Sequence, residues 1–342
     1  MKKLMILGAS YSQLPLYKTA KKLGIATVAV STPGDWPCFD IADECSYTDI
    51  SDPEAVLKSA REHNIDGITT CCLDAGIRSI GYVCEHMGLK GLSAQAGFLC
   101  SDKYYMKEAF ARYPDTMAAT NRDYCLVEEF IQGKMLGCEA MISNGKLLFC
   151  LPNNIENYES YVPTPIGHSV PYDKQDTLGS EVKRQLELAV QALGMDNCPV
   201  NCDMMEKDGK IYVIEITGRA GGNCLPEMVS LYYDIDYYEA MVRLAMDMKA
   251  ESLFEKKSPC IANLSHILTS DRSGILKQIH NDSEMTDNIV DLSFNVESGE
   301  EIRKYENGRD RIGQVILKGK NLDDCRRNLA DVLSKINIEF IS

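Results

Sequence analysis

No stretch of this chain gathers positive charge. Its 36 lysines and arginines are outnumbered by 50 aspartates and glutamates, for a net charge of −14. Nucleic acid or an anionic membrane surface would need a concentrated basic stripe, so neither is an expected partner. No apolar run is long enough to span a bilayer. The opening Met1-Lys-Lys-Leu-Met-Ile-Leu-Gly8 lacks the long apolar core of a secretory signal. A soluble, cytoplasmic protein is expected. There is no Cys-x-x-Cys pair either. The 14 cysteines are scattered, which argues against a zinc site or disulfide framework and for buried free thiols in a reducing compartment. Tryptophan occurs once, as Trp36 in the loop Pro33-Gly-Asp-Trp-Pro37, and reads as a loop anchor. What is present is an ordinary globular mixture, 45% hydrophobic and 25% charged, so disorder is not indicated. At 342 residues the chain exceeds one compact core and calls for two or three domains.

The first hundred residues alternate strand and helix. Strands are expected at residues 3–7, 27–30, 45–48 and 67–72, and helices at 13–23, 53–63 and 76–87. The run Ser51-Asp-Pro-Glu54 starts the second helix with proline at its first position. Such alternation implies an α/β domain with a parallel sheet. The turn Gly8-Ala-Ser-Tyr-Ser-Gln13 lacks the full Gly-x-Gly-x-x-Gly pattern, so a nicotinamide-dependent oxidoreductase is a weak alternative. Asp74, Ala75 and Gly76 close the fourth strand at the carboxyl edge, where open α/β sheets bind ligands, although each singly reads as a plain loop residue.

Residues 201–222 organise the rest. Lys207-Asp-Gly-Lys210 supplies a tight hairpin turn between two apolar flanks, and Asp203 and Glu215 stand near the middle of those flanks. Unpaired charge is costly there. Two such carboxylates on adjacent strands can face one cleft and share a hard cation such as Mg²⁺. Thr217 adds an oxygen, Arg219 a fixed positive fork, and Ala220-Gly221-Gly222 a close-approach turn. An ordinary hairpin with solvated acids is the alternative.

The spacing Asp203…Glu215-x-Thr217-x-Arg219-x-Gly-Gly resembles the metal-binding end of the ATP-grasp ligases, of the carboxylate–amine type. That resemblance implies Mg²⁺ (or Mn²⁺) held by Asp203, Glu215 and Thr217, the last standing where the family carries Asn, with Arg219 stabilising the transferred phosphate. Ser101-Asp-Lys103 reads as the capped start of a helix, with Ser101 at its N-terminus. It is similar to the segment that opens the family's nucleotide module, which implies that Lys103 reaches the ATP phosphates; Lys107 is expected in solvent. Cys125-Leu-Val-Glu128-Glu129-Phe130-Ile131-Gln-Gly133 resembles the adenine hinge, with Glu128 orienting the base and Glu129, Phe130 and Ile131 acting through their backbone. Met135 stands where a ribose-binding acid often follows, and Glu139 is the nearest polar substitute.

Only residues 111–124 separate the opening helix from the hinge, too few for the family's lid subdomain. Either the lid is naturally deleted, leaving a nucleotide-binding protein without ligase activity, or this sequence passes over it. The second reading predicts a chain break near Tyr113 to Thr116, with ends too far apart for one peptide bond. A proline-rich stretch, residues 160–171, carries His168 as a substrate-facing or structural residue. Further expected elements are a hairpin at Asn144-Gly145 and helices at 177–193 and 237–248. Beyond 251, strands at 260–268, 289–296 and 312–317 and a helix at 322–336 resemble the family's C-terminal domain.

The expected architecture is an N-terminal βαβ domain over residues 1–98, an ATP-grasp α+β module over 99–250 and a small α+β domain over 251–342. The expected activity is ATP- and Mg-dependent joining of a small-molecule carboxylate to an amine through an acyl phosphate. The first turn lacks the Gly-Gly-Arg-Glu-His run expected of the phosphoribosylglycinamide synthetase branch. Carboxylate, amine and oligomeric state stay open, a homodimer being one option.

Overall fold

A computed structural model describes residues 1–111, 128–158, 164–255 and 259–341. The expected lid gap, the expected chain break, the start of the hinge (125–127) and residues 160–163 lie outside the described residues.

The chain opens as expected, with β1 (Lys3–Leu7), α1 (Leu14–Lys22), β2 (Ala26–Ser31), β3 (Glu44–Tyr47), α2 (Pro53–His63), β4 (Gly67–Thr69) and α3 (Ile77–Met87). The side chain of Asp52 caps α2 by accepting from the backbone N–H groups of Glu54 and Ala55, and Pro53 takes the first helical position. The strands form a parallel sheet in the order β3-β2-β1-β4. The chain therefore reverses direction at β1, with β2 on one side and β4 on the other. Open α/β sheets bind ligands outside the carboxyl ends of strands at such a switch point. Here the loop after β1 is stapled to the end of β4: buried Gln13 donates from Nε2 to the Cys71 carbonyl at 2.7 Å.

Two helices follow, α4 (Ala94–Ser101) and α5 (Lys103–Ala111). Ser101 does not cap α5, contrary to the sequence expectation. It is the last residue of α4, and its hydroxyl donates back to the Gly97 carbonyl. Asp102 is the cap, accepting from Tyr104 N at 2.9 Å and Tyr105 N at 3.3 Å.

Then come β5 (Lys134–Ser143), β6 (Lys146–Tyr158), β7 (Thr164–Val170), α6 (Gln175–Leu193), β8 (Cys198–Lys207) and β9 (Lys210–Thr217). Asn144 and Gly145, at φ 51° and 71°, turn β5 into β6, and Asp208 and Gly209, at 52° and 77°, turn β8 into β9. Both central residues are left-handed, as a two-residue hairpin turn requires. The remaining elements are α7 (Leu225–Tyr233), α8 (Tyr237–Ala245), β10 (Ala262–Leu268), β11 (Gly274–Asn281), β12 (Ile289–Phe294), β13 (Glu301–Ile302), β14 (Gly313–Gly319), α9 (Leu322–Ser334) and β15 (Ile336–Phe340). β11, β13 and β15 have no counterpart in the sequence reading.

The chain divides into two compact units. The first takes Met1–Pro152, Lys174–Gly222 and Ile235–Lys257; the second takes Asn153–Asp173, Asn223–Asp234 and Ser258–Ser342. The first unit holds the parallel sheet and the neighbouring strands β6 (as far as Pro152), β5, β8 and β9 in that order. In the second, β10 lies between β7 and β14, antiparallel to both, β12 borders β14, and β11 pairs with β15 and β13. The core of the second unit gathers Leu264, Leu276, Ile302, Val315, Leu317 and Val332. Thirteen described cysteines take part in no disulfide, and most are buried. Trp36 is an anchor, donating from Nε1 to the Thr32 carbonyl at 3.0 Å. No helix among the described residues is long and apolar enough to cross a membrane.

Candidate active site

The hairpin of β8 and β9 brings Asp203 and Glu215 together through an irregularity. From Lys207 opposite Lys210 the pairing runs regularly to Met204 opposite Val213. It then slips by one residue, so that Asp203 faces Glu215, Cys202 faces Ile216 and Asn201 faces Thr217. Ile214 is the extra residue of this β-bulge. Successive side chains point to opposite faces of a sheet, so in an unbroken ladder Glu215 would project away from Asp203. The bulge re-aims it to the same face. Burial records the switch: Ile211 and Val213 are buried on β9, and the next buried position is Ile216. On the other side of β8, β5 sets Gly137 opposite Asp203 and Glu139 opposite Asn201. Two adjacent rows result, Gly137–Asp203–Glu215 and Glu139–Asn201–Thr217.

The first row concentrates charge. Lys103 reaches from the first turn of α5 to place Nζ 2.7 Å from Glu215 Oε2. Burial works against the Lys103 ammonium, but the Glu215 carboxylate holds its pKa above the ordinary lysine value. Burial and then the neighbouring Glu215 push Asp203 up to about 6, against the pull of Arg219 and Lys103. One turn further along α5, Lys107 does not extend into solvent as expected. It is buried, pairs with Glu128 at 2.8 Å and donates to the Val213 carbonyl at 3.2 Å. Residues four apart share a helix face, so the face that offers Lys103 to Glu215 also turns Lys107 toward β9.

The second row positions Arg219. The guanidinium grips Asp74 through two bonds, Nε to Oδ1 at 2.9 Å and Nη2 to Oδ2 at 2.7 Å, and Nη1 donates to Asn201 Oδ1 at 3.1 Å. Such a fork fixes orientation as well as charge. Burial alone would raise the Asp74 pKa, yet Arg219 and the Thr217 hydroxyl, which donates at 3.1 Å, hold it below the usual carboxylate range. Burial disfavours the Arg219 charge, and Asp74 more than restores it. Behind them Glu139 is fully buried. It accepts from Asn201 Nδ2 at 2.7 Å and from Gly221 N at 3.1 Å, and burial pushes its pKa up to about 8. Glu139 therefore braces the Arg219 loop and offers no exposed surface for a ribose.

Asp203 and Glu215 suit a magnesium-sized cation. They are directly opposed hard oxygen donors, and burial, followed by the neighbouring Glu215, raises Asp203. Mg²⁺ is commonly held by one or two carboxylates plus substrate phosphates and water. Among the described residues no group of three or more His, Cys, Asp or Glu converges as a metal cage. Thr217 is buried and its hydroxyl is engaged with Asp74. Of the expected hinge, Glu128 pairs with Lys107, while Glu129 and Phe130 are exposed and Ile131 half-buried in the loop before β5. His168 lies in the second unit, where its ring Nδ1 donates to Asn153 Oδ1 at 2.9 Å; burial pushes it down to about 4, so it is neutral. Asn201 escapes the sequence reasoning, which places Lys107 in solvent and weighs Asp74 chiefly as a plain loop residue. The one available signal was the position of Asp74 at the carboxyl end of β4.

The family description "L-amino acid ligase C-terminal domain 2" matches residues 266–340. The crystal structure of phosphoribosylglycinamide synthetase from Anaerococcus prevotii is 38% identical, with 99% of this chain and 100% of that one covered and a TM-score of 0.94. An L-amino acid ligase from Bacillus licheniformis shares the fold at 17% identity, with 100% of this chain and 99% of that one covered and a TM-score of 0.85. An N5-carboxyaminoimidazole ribonucleotide synthetase from Thermotoga maritima shares it at 16%, with both chains covered in full and a TM-score of 0.74. An uncharacterized protein, y4rH, from Sinorhizobium fredii is 24% identical over 331 residues. That match takes in 95% of this chain, which spans 60% of the length of this curated relative. On its opposed carboxylates, its two convergent cations and its likeness to the Anaerococcus protein over nearly its whole length, this chain belongs to the ATP-grasp carboxylate–amine ligase superfamily.

Proposed function

We propose that this chain joins a small-molecule carboxylate to an amine with ATP and Mg²⁺ (or Mn²⁺). A carboxylate oxygen attacks the γ-phosphorus and ADP leaves. The amine nitrogen then attacks the acyl carbon, phosphate leaves, and the nitrogen gives up a proton. The observation that carries this reading is the bulge that turns Glu215 to the face of Asp203, with Lys103 and Arg219 both close enough to act on the Asp203 charge. Phosphoryl transfer depends on positioning and on neutralising oxygen charge, and this arrangement is suited to both. A cation bound by Asp203 and Glu215 would neutralise phosphate oxygens. Lys103 supplies a mobile point charge for the ATP phosphates. Arg219, fixed by Asp74 and Asn201, supplies an oriented fork for the acyl phosphate. Glu129 to Ile131 offer backbone groups to the base, and the free thiols fit a cytoplasmic setting.

The test is ADP release from ATP with paired carboxylates and amines, with and without Mg²⁺. Dependence on metal and on both substrates is expected. Glu215→Gln should lower turnover at least about 100-fold while leaving thermal unfolding unchanged. Full turnover by that variant would remove the metal assignment, and nucleotide binding without ADP release under any pairing would leave only a nucleotide-binding protein.

A further inference from the structure

A cleft of about 310 Å³ in the first unit is lined by Ser51, Asp74, Arg78, Phe98, Asp102 and Glu215, among others. Its size fits a small metabolite. One wall is the reacting end, because Glu215 and the Asp74 partner of Arg219 both face it. The other charges are unequally committed. Asp74 is held by Arg219, Glu215 by Lys103, and Asp102 by the backbone N–H groups of Tyr104 and Tyr105. Arg78, in the first turn of α3, makes no hydrogen bond or ion pair among the described residues. Its guanidinium lies over the ring of Phe98, 5.5 Å from the centroid, and Phe98 packs against Tyr105 at 4.9 Å. The aromatic platform restrains the guanidinium plane while its N–H donors stay open.

We propose that Arg78 is the specificity residue of the substrate subsite, and that the substrate held there carries a second anionic group, carboxylate or phosphate, at the end remote from bond formation. This rests on the ligase reading, which puts the reacting carboxylate at the Glu215 wall. In a chain of net charge −14, a cation beside that wall with no ion pair among the described residues separates a dianionic acid from a simple monoacid. A planar fork suits both carboxylate and phosphate oxygens.

The experiment is calorimetric titration of the full chain, without nucleotide, using three acids of similar length: glutarate, 4-phosphonobutyrate and pentanoate. Glutarate or the phosphonate should bind about tenfold tighter than pentanoate or better, and the tighter of the two identifies the remote group. Arg78→Gln should abolish that preference without changing the thermal midpoint, because Arg78 is exposed and makes no ion pair among the described residues. Equal binding of all three acids, or a preference that survives in Arg78→Gln, overturns the proposal. ADP-release assays separate the two readings. Arg78-dependent dianion binding with no ADP release under any pairing keeps the subsite and removes the ligase. Turnover of monoacids that is indifferent to Arg78→Gln keeps the ligase and removes the subsite.

Discussion

Arg219 owes its orientation to Asp74, a residue 145 positions earlier in the chain. Asp74→Ala takes away both bonds of the fork and the acceptor of the Thr217 hydroxyl. We expect kcat/KM for ADP release to fall about 10–100-fold, with Asp74→Asn intermediate because it keeps one acceptor. An unchanged kcat/KM in Asp74→Ala would show that Arg219 needs no such partner. Glu139 makes a different prediction. Its folded pKa of about 8 lies above the unfolded carboxylate value of 4.5, so the folded state binds the extra proton between those limits. Its contribution is complete below about pH 4.5 and fades as pH rises toward 8. The thermal midpoint of the native chain should therefore fall by several degrees between pH 5 and 8, and Glu139→Gln, which does not titrate, should flatten that slope. Equal slopes would rule the group out. Asp203 and Glu215 were singled out because unpaired acids are costly in the apolar flanks of a hairpin, and the resemblance to ATP-grasp ligases set them apart from solvated ones. Asp74 was not, because its partner is supplied only by tertiary folding and an aspartate after a strand is an ordinary turn residue.

Local elements were read where their signals are local. Pro53 and Asp52 start α2, Gly194 ends α6 in the left-handed conformation, and the Asn-Gly and Asp-Gly turns set two hairpins. The start of α5 was misplaced by one residue because Ser101 and Asp102 are both good caps, and α4 had already claimed the serine. That distinction is testable. Asp102→Ala should cost about 1 kcal/mol of stability and raise KM for ATP severalfold, since Lys103 follows the cap directly. Ser101→Ala should do neither, and the reverse ranking would restore the serine as the cap. The three missed strands have a common cause. β11 buries one side chain, Leu276, and alternates poorly, while β15 continues straight from α9. Their pairing, Leu276 opposite Phe340, joins segments far apart in sequence and leaves no periodicity to detect.

At the level of the molecule, strand–helix alternation was enough for a parallel sheet first, two hairpin turns for antiparallel strands later, and the resemblance to ATP-grasp ligases for the α+β module. Division into units is another matter, because a linear reading draws boundaries only between consecutive residues. The second unit recruits Asn153–Asp173 and Asn223–Asp234, so β7 and α7 pack on β10 from outside the C-terminal stretch. A chain ending at residue 257 would leave both without that partner. We expect it to lose cooperative thermal unfolding and to bind a hydrophobic dye. Cooperative unfolding of that shortened chain would instead support an independent domain over residues 251–342.

Ile214 gives the hairpin a parity. On its turn side, the numbers of opposed residues on β8 and β9 add to one constant; beyond it they add to one more. Loss of that codon would make the sum constant throughout and leave Glu215 opposite Asp203, on the same face, in a regular ladder. A heritable change of three nucleotides would thus remove the local bend and extra twist of the hairpin and spare the opposed pair. In descendants of this fold, the presence of the two acids therefore discriminates better than the number of residues between them.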